Sequence, residues 1–320
     1  MNLKDCLAAA TPLKGMARIE RPGETDHKHL QNWQDNVYSG TMDVKFQKMF
    51  NEGDGGELVC KACAIHSSSM LAYNFFHQVS MSNTFTFNKI EYVDVAFEVK
   101  LPCLYKQNTK SDFVNANMDI MLVSKGQTDI LFVESKFTEH FSNASSQMAK
   151  MPEAYYKDDS RFIVKNYFEP IRDAILFFMT KSKSKNVAGY FDGIKQEFCH
   201  TIALTNILED PNIKKSFLKQ HNIKKDPCMH FINLVFEPDE NGFKKEFKQY
   251  ATYCDLYDSF IEKIRGSYPD ALDLQAKPIT YSTLWNDGAF KFSDPRQKSY
   301  LMKRYMQFAN KCDGNQTSTP

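Results

Sequence analysis

The feature that most constrains the fold is a pair of apolar segments, 118–124 and 129–137, separated by the polar stretch 125–128. Both segments are apolar on both faces of a strand, which is typical of central strands buried on either side. The short stretch between them predicts a tight turn, so the two segments should form an antiparallel hairpin. Pairing Ser124 with Asp129 across this turn sets the register of every residue behind it.

Three polar side chains, Asp119, Glu134 and Lys136, stand out on this apolar hairpin. In the predicted register Asp119 lies directly opposite Glu134, and directly opposed side chains share a face with their Cβ atoms about 5 Å apart. Lys136 follows Glu134 by two positions, so it lies on that face too. The hairpin is therefore predicted to bring two carboxylates and an amine together.

Two like charges buried side by side are costly unless a cation lies between them or one carboxylate takes up a proton. Carboxylate oxygens suit Mg²⁺ or Mn²⁺, which keep several waters and bind through one or two carboxylates and a substrate phosphate. Lys136 would then stabilise charge at phosphorus or position the attacking water. The alternative is a structural salt bridge between Lys136 and one acid, which the apolar flanks disfavour. The pattern indicates metal-assisted hydrolysis of a phosphodiester.

These residues resemble the PD-(D/E)XK nucleases, whose signature is an Asp, a spacer and then Glu-x-Lys on a hairpin. The matching residues are Asp119, fourteen intervening residues and Glu134-Ser135-Lys136, although no Pro precedes Asp119. More narrowly, the chain is similar to bacterial restriction-endonuclease-like proteins that add a Gly-Gly-Glu-Leu helix upstream and a Gln-x-x-x-His helix downstream. The counterparts, within a resemblance spanning roughly residues 53–285, are Gly55-Gly56-Glu57-Leu58 and the pair Gln196 and His200.

The resemblance implies an α/β fold with a restriction-endonuclease-like mixed central sheet flanked by helices, a helical insertion and C-terminal additions. It also implies a Mg²⁺-dependent endonuclease, for which Mn²⁺ would serve as well. DNA is the expected polymer, with RNA as the alternative, and a homodimer is left open. Two rival functions also stay open. One is a nuclease-like fold that binds nucleic acid or a protein without cutting, and the other is a hydrolase of small phosphoesters.

Site roles also follow from the resemblance. The metal would be held by Asp119, Glu134, the Ser135 carbonyl and Glu57, while Lys136 and Gln196 would act on the attacking water. Glu57 has a second interpretation, because a carboxylate in the first turn of a helix interacts favourably with the helix dipole. His200 is a candidate general base, although water activated by a metal does not require one.

The domain organisation is predicted from composition. Residues 1–50 are polar and weakly periodic and should form an N-terminal extension to which we assign no chemistry, apart from a short docking helix near its end. Residues 51–312 should form the nuclease-like domain, with two inserted helices at about 143–185. Residues 313–320 should be a disordered tail.

Periodicity predicts the remaining elements. The apolar spacing from Leu58 to Phe76 indicates a helix of about 23 residues that begins near Gly55. A strand over 93–99 should end at Pro102. The other predicted elements are helices at 190–208, 244–264 and 293–308 and strands at 229–236 and 279–285.

A net charge of +1 does not by itself indicate a polyanion partner, so the distribution of charge matters more than its sum. Candidate phosphate contacts are the run Lys181-Ser182-Lys183-Ser184-Lys185, which otherwise is a solvated helix end, and the residues Lys298, Lys303 and Arg304. Phosphate-binding Gly-rich loops and His-Glu-x-x-His are absent, which argues against ATP-driven translocation and zinc peptidase activity.

Eight scattered Cys are expected to be free thiols in a reducing compartment, and we therefore expect a cytoplasmic protein. Cys60 and Cys63 form a lone Cys-x-x-Cys without the second pair that a zinc site needs. The serines that follow His66 are interpreted as packing residues, because no Gly-x-Ser-x-Gly turn is present. The N-terminus predicts neither a signal peptide nor a membrane span.

Overall fold

The fold is built on a mixed β-sheet. The computed structural model describes residues 2–19, 28–53, 58, 61–141, 151–185 and 188–310. The side chains of 181–185 and 188–193 are not described. The strands are β1 (Arg18–Ile19), β2 (His29–Leu30), β3 (Phe85–Phe87), β4 (Ile90–Tyr105), β5 (Phe113–Ser124), β6 (Asp129–Lys136), β7 (Cys228–Val235), β8 (Leu272–Leu274) and β9 (Ile279–Thr280). Strands β1 and β2 pair with each other in a separate two-stranded sheet. In the described residues the main sheet has the order β3-β4-β5-β6-β7-β8, and β9 also pairs with β7.

Helices flank this sheet. They are α1 (Leu3–Ala9), α2 (Val44–Glu52), α3 (Ser68–Phe76), α4 (Phe168–Lys185), α5 (Ala188–Glu209), α6 (Pro211–Gln220), α7 (Lys244–Ile264), α8 (Tyr281–Asn286) and α9 (Pro295–Arg304). Helix α5 packs on β4 and β5, α2 on β4, and α3 on β6. The predicted fold class, a mixed central sheet flanked by helices, is confirmed.

The register of the central hairpin is the one predicted. Strands β3 to β6 are antiparallel, and β5 pairs with β6 through Ile120 opposite Val133 and Val123 opposite Ile130. The next step along the two strands places Asp119 opposite Glu134. Strand β7 then runs parallel to β6, as expected for two strands joined by a helical crossover. The apolar residues of β5 to β7 are buried, so these are central strands.

The prediction of one long helix that begins near Gly55 is wrong. Helix α3 begins only at Ser68, where the Ser67 hydroxyl accepts a hydrogen bond from the Met70 N–H at 3.3 Å. The residues before it bond to the N-terminal segment instead, since Leu30 N–H donates to the Cys63 carbonyl at 2.8 Å. Leu58, Ala62 and Ile65 are apolar at helical spacing because all three are buried. Here the pairing with the N-terminal segment, and not a helix, buries them. Gly55, Gly56 and Glu57 lie outside the described residues.

Pro102 does not end its strand, contrary to the prediction. Strand β4 continues to Tyr105 through a bulge between Pro102 and Leu104, where a residue without an N–H is tolerated. The Asn206 amide of α5 donates to the Pro102 and Cys103 carbonyls at 3.0 and 2.8 Å, so the bulge is also bonded to the neighbouring helix.

Two further predictions are corrected. The described part of the insertion is three 3₁₀ turns, at Glu153–Tyr155, Asp159–Arg161 and Lys165–Tyr167, followed by the single helix α4. Residues 142–150 lie outside the described residues. The late strand ends at Thr280, because the Thr280 hydroxyl accepts the Thr283 N–H at 3.0 Å and caps α8.

The predicted strand at 229–236 and the helices at 190–208 and 244–264 correspond to β7, α5 and α7. The predicted C-terminal helix is shorter: α9 ends at Arg304, and a 3₁₀ turn covers Met306–Phe308. Arg304 is fully buried, with its guanidinium donating to the Ile65 carbonyl and to Asn36 Oδ1. It is therefore not a phosphate contact.

The N-terminal residues share one hydrophobic core with the sheet. Leu3, Leu7 and Leu30 are buried in it. The docking helix expected near residue 50 is α2, whose Phe46 and Phe50 rings pack on Phe97 of β4 with centroids 5.2 and 5.4 Å away. This segment supports the strand that lies beside the central hairpin.

In the part of the chain that the structure describes, no helix is long and apolar enough to cross a bilayer. The cysteines described there are outside disulfide bonds: Cys6, Cys63, Cys103, Cys199, Cys228 and Cys254. The expectation of thiols rather than disulfides is confirmed for these six residues. The side chains of the run 181–185 and the tail from 311 lie outside the description.

A histidine joins three strands at the turn end of the hairpin. His230 on β7 donates to Asp129 on β6 and to Asp273 on β8, both at 3.1 Å. The hydrogen bond that His230 donates to Asp273 is the main cause that raises the pKa of His230, against the effect of burial. Its charged form is therefore more stable in the folded chain than in the unfolded one.

We expect the free energy of unfolding to fall as pH rises through the raised pKa of His230. The stabilisation is fully present below the unfolded value of 6.5 and is lost above the folded one. Loss of one charge-assisted hydrogen bond should cost about 1 kcal/mol. Urea unfolding between pH 6 and 9 measures it, and His230→Gln should flatten the curve. An equally steep curve in the variant would assign the pH dependence to other groups.

Candidate active site

The two carboxylates of the hairpin and its lysine line one cavity, of about 520 Å³. Asp119 and Glu134 come from adjacent positions of β5 and β6, and Lys136 follows on β6. The structure therefore brings together the three residues that the sequence placed on one face. Glu134 and Lys136 are buried and Asp119 is half-buried.

Glu134 is held by two cationic or donor groups. Its Oε1 accepts a short hydrogen bond from Lys136 Nζ, and its Oε2 accepts one from His200 Nε2 at 2.8 Å. Burial alone would raise the pKa of Glu134, but Lys136 and His200 outweigh it and lower the pKa to about 2. Burial would likewise lower the pKa of Lys136, and the carboxylates of Glu134 and Asp119 raise it instead. Glu134 and Lys136 are thus a charged pair.

The pKa of Asp119 is shifted in the opposite direction to that of Glu134. Burial and then the charges of Glu134 and Glu98 raise its pKa well above the usual range. One oxygen, Oδ2, accepts the Ser135 N–H at 2.7 Å, which leaves Oδ1 for another partner. The ionised form of Asp119 is disfavoured until a positive charge arrives, which is the condition that a divalent cation would satisfy.

Glu98 is a site residue that the sequence analysis missed. The pairs Phe97–Ile120 and Val99–Met118 place it directly opposite Asp119, on the strand that flanks the hairpin. Its backbone adopts a φ of 52° in the middle of β4, a left-handed conformation that is strained for a residue with a side chain. Glu98, Asp119 and Glu134 therefore form a row of acids across three strands. No sequence signal identified Glu98, because the connection 106–112 between β4 and β5 does not fix their register as a tight two-residue turn would.

Helix α5 supplies the groups behind the acids. Gln196 and His200, one turn apart as predicted, contact Lys136 and Glu134 respectively, with Gln196 Oε1 accepting from Lys136 Nζ. Between them Glu197 points into the interior, where it accepts the Asn233 amide N–H at 2.9 Å. Burial and then Glu134 raise the pKa of Glu197 well above its usual value, so its ionised form is disfavoured beside Glu134.

The remaining lining of the cavity comes from segments to which the sequence analysis gave no chemistry. Strand β2 and the turn before α3 contribute His29, Lys61 and His66. The first residues of α3 also line it, so the serines that were interpreted as packing residues face the cavity. Glu139, three positions after Lys136, accepts the N–H groups of Phe137 and Thr138 at 2.8 and 2.9 Å and lines the cavity beside them.

The donor set fits a hard divalent ion that keeps several waters. Two carboxylates, Asp119 and Glu134, face the cavity from opposed positions. The Ser135 N–H points to β5, and the carbonyl of the same residue points to the same side of the strand. No group of three Asp, Glu, His or Cys side chains in the described ranges is close enough to share an ion, and this holds for the present site as well. Glu57, the fourth predicted ligand, lies outside those ranges.

Residues 9–221, about two thirds of the chain, match the family described as Restriction Endonuclease associating with ARP (REase-ARP). The matched part contains β4 to β6 and α5, and so every described residue of the acid and lysine cluster. Comparison with curated proteins and with solved structures gave no significant match. On the extent of the family match, together with the mixed sheet and its hairpin, the chain belongs to the REase-ARP family of restriction-endonuclease-like proteins.

Proposed function

We propose that this protein is a metal-dependent endonuclease that hydrolyses phosphodiester bonds in DNA. The observation that carries the proposal is the pairing of Asp119 with Glu134 across the hairpin, with Lys136 beside them in one cavity. Family membership supports a nuclease-like role. The volume of about 520 Å³ is in the usual range for a ligand site, so a nucleotide unit can be accommodated.

Each residue has a role that its contacts suggest. Asp119 and Glu134, with the Ser135 carbonyl and Glu57, would hold Mg²⁺ or Mn²⁺, which when bound polarises the phosphoryl group and lowers the pKa of water. Lys136 would stabilise negative charge that develops on the phosphoryl oxygens. Gln196 contacts the Lys136 ammonium and would orient it, while His200 holds Glu134 in place.

Binding of an ion at this site would require the contacts of Glu134 to change. Both Glu134 oxygens are engaged, one by Lys136 and one by His200, so an ion needs at least one of them. We propose that Lys136, which now contacts Glu134 and Gln196, would turn toward the substrate phosphate during the reaction. The same ammonium would then serve the reaction.

The test is nicking of supercoiled plasmid DNA by the purified chain. We expect nicked and linear products with Mg²⁺ or Mn²⁺ and none with EDTA, because the carboxylates alone supply no electrophile. Small phosphodiesters, RNA and single-stranded DNA are the comparison substrates. Cleavage that persists in EDTA, or hydrolysis of small phosphodiesters without cleavage of any polymer, would contradict the proposal.

A second candidate function rests on the family description, which names an association with ARP. On that description alone, we propose a protein partner for this chain as an alternative or additional role. A fold that acts only by binding should be indifferent to Mg²⁺ and to Glu134→Gln. Pull-down and DNA-binding measurements on that variant, with and without Mg²⁺, separate the two candidates.

A further inference from the structure

Two cysteines from distant segments meet where helix α5 packs on β4. Cys103 lies on β4, and Cys199 lies on α5 directly before His200. The Cys103 S–H donates to the Cys199 carbonyl at 3.5 Å, and the two side chains are also within hydrogen-bonding reach of each other. The two thiols are therefore neighbours in the fold, although 96 residues separate them in the chain.

A bulge in β4 directs Cys103 toward the helix. The pairing of β4 with β5 shifts between Pro102 and Leu104, so Cys103 is the extra residue that the bulge inserts. An inserted residue of this kind re-aims its side chain, and bulges are common beside functional sites. The Asn206 amide, two turns after Cys199 on the same helix, donates to the Cys103 carbonyl at 2.8 Å. The approach of the two thiols is thus fixed by backbone contacts on both sides.

The surroundings give the two sulfurs different properties. Tyr155, in the 3₁₀ turn Glu153–Tyr155, has its hydroxyl within hydrogen-bonding reach of both thiols. Hydrogen bonds from Cys103 and Tyr155 lower the pKa of Cys199 against the effect of burial, whereas burial raises the pKa of Cys103. Cys199 is half-buried and Cys103 is fully buried. Cys199 therefore has the properties of a reactive thiolate, and Cys103 those of a protonated neighbour.

Two other described cysteines differ from this pair. Burial raises the pKa of Cys254 to about 11, even though Tyr250 forms a hydrogen bond with it that acts in the other direction. Burial likewise raises the pKa of Cys6. A tyrosine beside a thiol is thus not enough in this chain, and the second thiol is what distinguishes Cys199.

We propose that Cys103 and Cys199 form a site that reacts with hydroperoxides, such as hydrogen peroxide, and closes to a disulfide. Cys199 is the attacking residue and Cys103 is the resolving one. The inference goes beyond the proposed nuclease function and does not depend on it. In a reducing compartment such a disulfide is transient, as in catalytic or redox-sensing proteins.

The reaction has two steps. The Cys199 thiolate attacks one peroxide oxygen, so an S–O bond forms, the O–O bond breaks, and the leaving hydroxide takes up the proton released by Cys199 to become water. The Cys103 sulfur then attacks the sulfenic acid sulfur of Cys199. An S–S bond forms, the S–O bond breaks, and the second hydroxide leaves as water with the Cys103 proton. The two thiols lose two electrons in all, and one hydrogen peroxide is reduced to two waters.

Peptide mapping of the whole chain tests the pairing. The reduced protein, freed of reductant, is treated with an equimolar amount of hydrogen peroxide and its remaining thiols are blocked with N-ethylmaleimide. Trypsin cleaves after Lys and Arg, so it releases residues 101–106 and 196–214, each with one of the two cysteines. We expect these peptides to be joined, and to separate on reduction. A chain in which both peptides carry N-ethylmaleimide instead would overturn the proposal, and this result needs no variant to fold.

Two variants assign the roles of the cysteines. In Cys103→Ser the sulfenic acid of Cys199 should persist and be labelled by dimedone, because the resolving thiol is gone. In Cys199→Ser the Cys103 thiol should stay unlabelled, because it is buried and protonated. Dimedone on Cys103 but not on Cys199 would contradict the proposed order of attack.

Cys228→Ser is the matched control, because Cys228 is exposed on β7 and so reports the reactivity that exposure alone gives. This substitution should leave the rate of disulfide formation unchanged. In the wild-type chain Cys199 should be oxidised at least about tenfold faster than Cys228 near neutral pH. Equal rates at the two sites would show that exposure decides, and would overturn the proposal.

This proposal and the nuclease proposal fail separately, because the peptide map needs neither DNA nor Mg²⁺. A chain that forms the disulfide but cuts nothing contradicts the nuclease assignment alone. A chain that cuts DNA while both thiols resist peroxide contradicts the thiol site alone.

Discussion

Asp119→Asn is expected to lower Mg²⁺-dependent cleavage by about 10³-fold while the protein stays folded. Asparagine has the shape of aspartate, and its Oδ1 can still accept the Ser135 N–H that Asp119 accepts at 2.7 Å. The substitution removes only the negative charge, which a bound ion would neutralise. The loss should therefore appear in kcat and in the affinity for Mn²⁺, measured by calorimetry or by the electron paramagnetic resonance of free Mn²⁺.

Stability should change in the opposite direction to activity. Burial and the neighbouring carboxylates Glu134 and Glu98 raise the pKa of Asp119, so its charge opposes folding without a metal. The asparagine variant should unfold at an equal or higher temperature than the wild type when both are in EDTA. Removing a destabilising group from a site commonly raises stability at the expense of function.

Asp129→Asn is the control for this variant, because Asp129 lies on the same hairpin at its turn end and contacts His230 outside the cavity. It should leave cleavage and Mn²⁺ affinity unchanged. Cleavage by Asp119→Asn within a few-fold of wild type would remove Asp119 from the mechanism and, with it, the metal site proposed between β5 and β6.

Lys136→Ala should lower the free energy of unfolding by about 3 kcal/mol and lower cleavage by at least about 10²-fold. Its side chain is only 7% exposed and that of Glu134 only 2% exposed, so the alanine leaves a buried carboxylate without its main cation. Urea unfolding measures the first effect and plasmid nicking the second. Lys125→Ala, an exposed lysine in the turn of the same hairpin, should change neither value.

A double variant separates stability from chemistry. Glu134→Gln combined with Lys136→Met removes both charges and should recover most of the lost stability, because a buried pair replaced as a whole costs little. Cleavage should stay absent. Recovery of cleavage in this variant, or full activity of Lys136→Ala, would show that the lysine is only structural.

The same pair predicts an acid response. Glu134 has a pKa lowered to about 2 from 4.5, so its stabilisation is present above pH 4.5 and is lost as pH falls toward 2. The decline should be smaller in Lys136→Ala, in which the largest cause of the lowered pKa is gone.

Much of the site could be predicted because its parts are close in sequence. The hairpin has a short turn, and a period of two residues sorts its side chains between faces, so the register follows from the turn alone. Asp119, Glu134 and Lys136 therefore share one cavity as predicted. Gln196 and His200 could be placed on one helical face because residues four apart in a helix are neighbours.

Other predictions failed where a local pattern had two physical causes. The spacing from Leu58 to Phe76 matched a helix, but its first half is buried by pairing with Leu30 and Lys28. Pro102 predicts the end of a strand, but a bulge and the amide of Asn206 accommodate it within β4. The contacts that decide these cases include Leu30 with Cys63 and Asn206 with Pro102, which join residues distant in the chain and so lie beyond the reach of periodicity.

The amino-acid sequence by itself determined the hairpin, its register and the placement of two acids and a lysine on one face, because strand alternation and a short turn are local properties. Tertiary structure alone decided that Glu98 stands beside Asp119 and that α5 bonds to Glu134 and Lys136. It also decided that His29, Lys61 and His66 line the same cavity. Those contacts depend on how separate segments pack around one core, and that packing is set by burial and hydrogen bonding between residues distant in the chain.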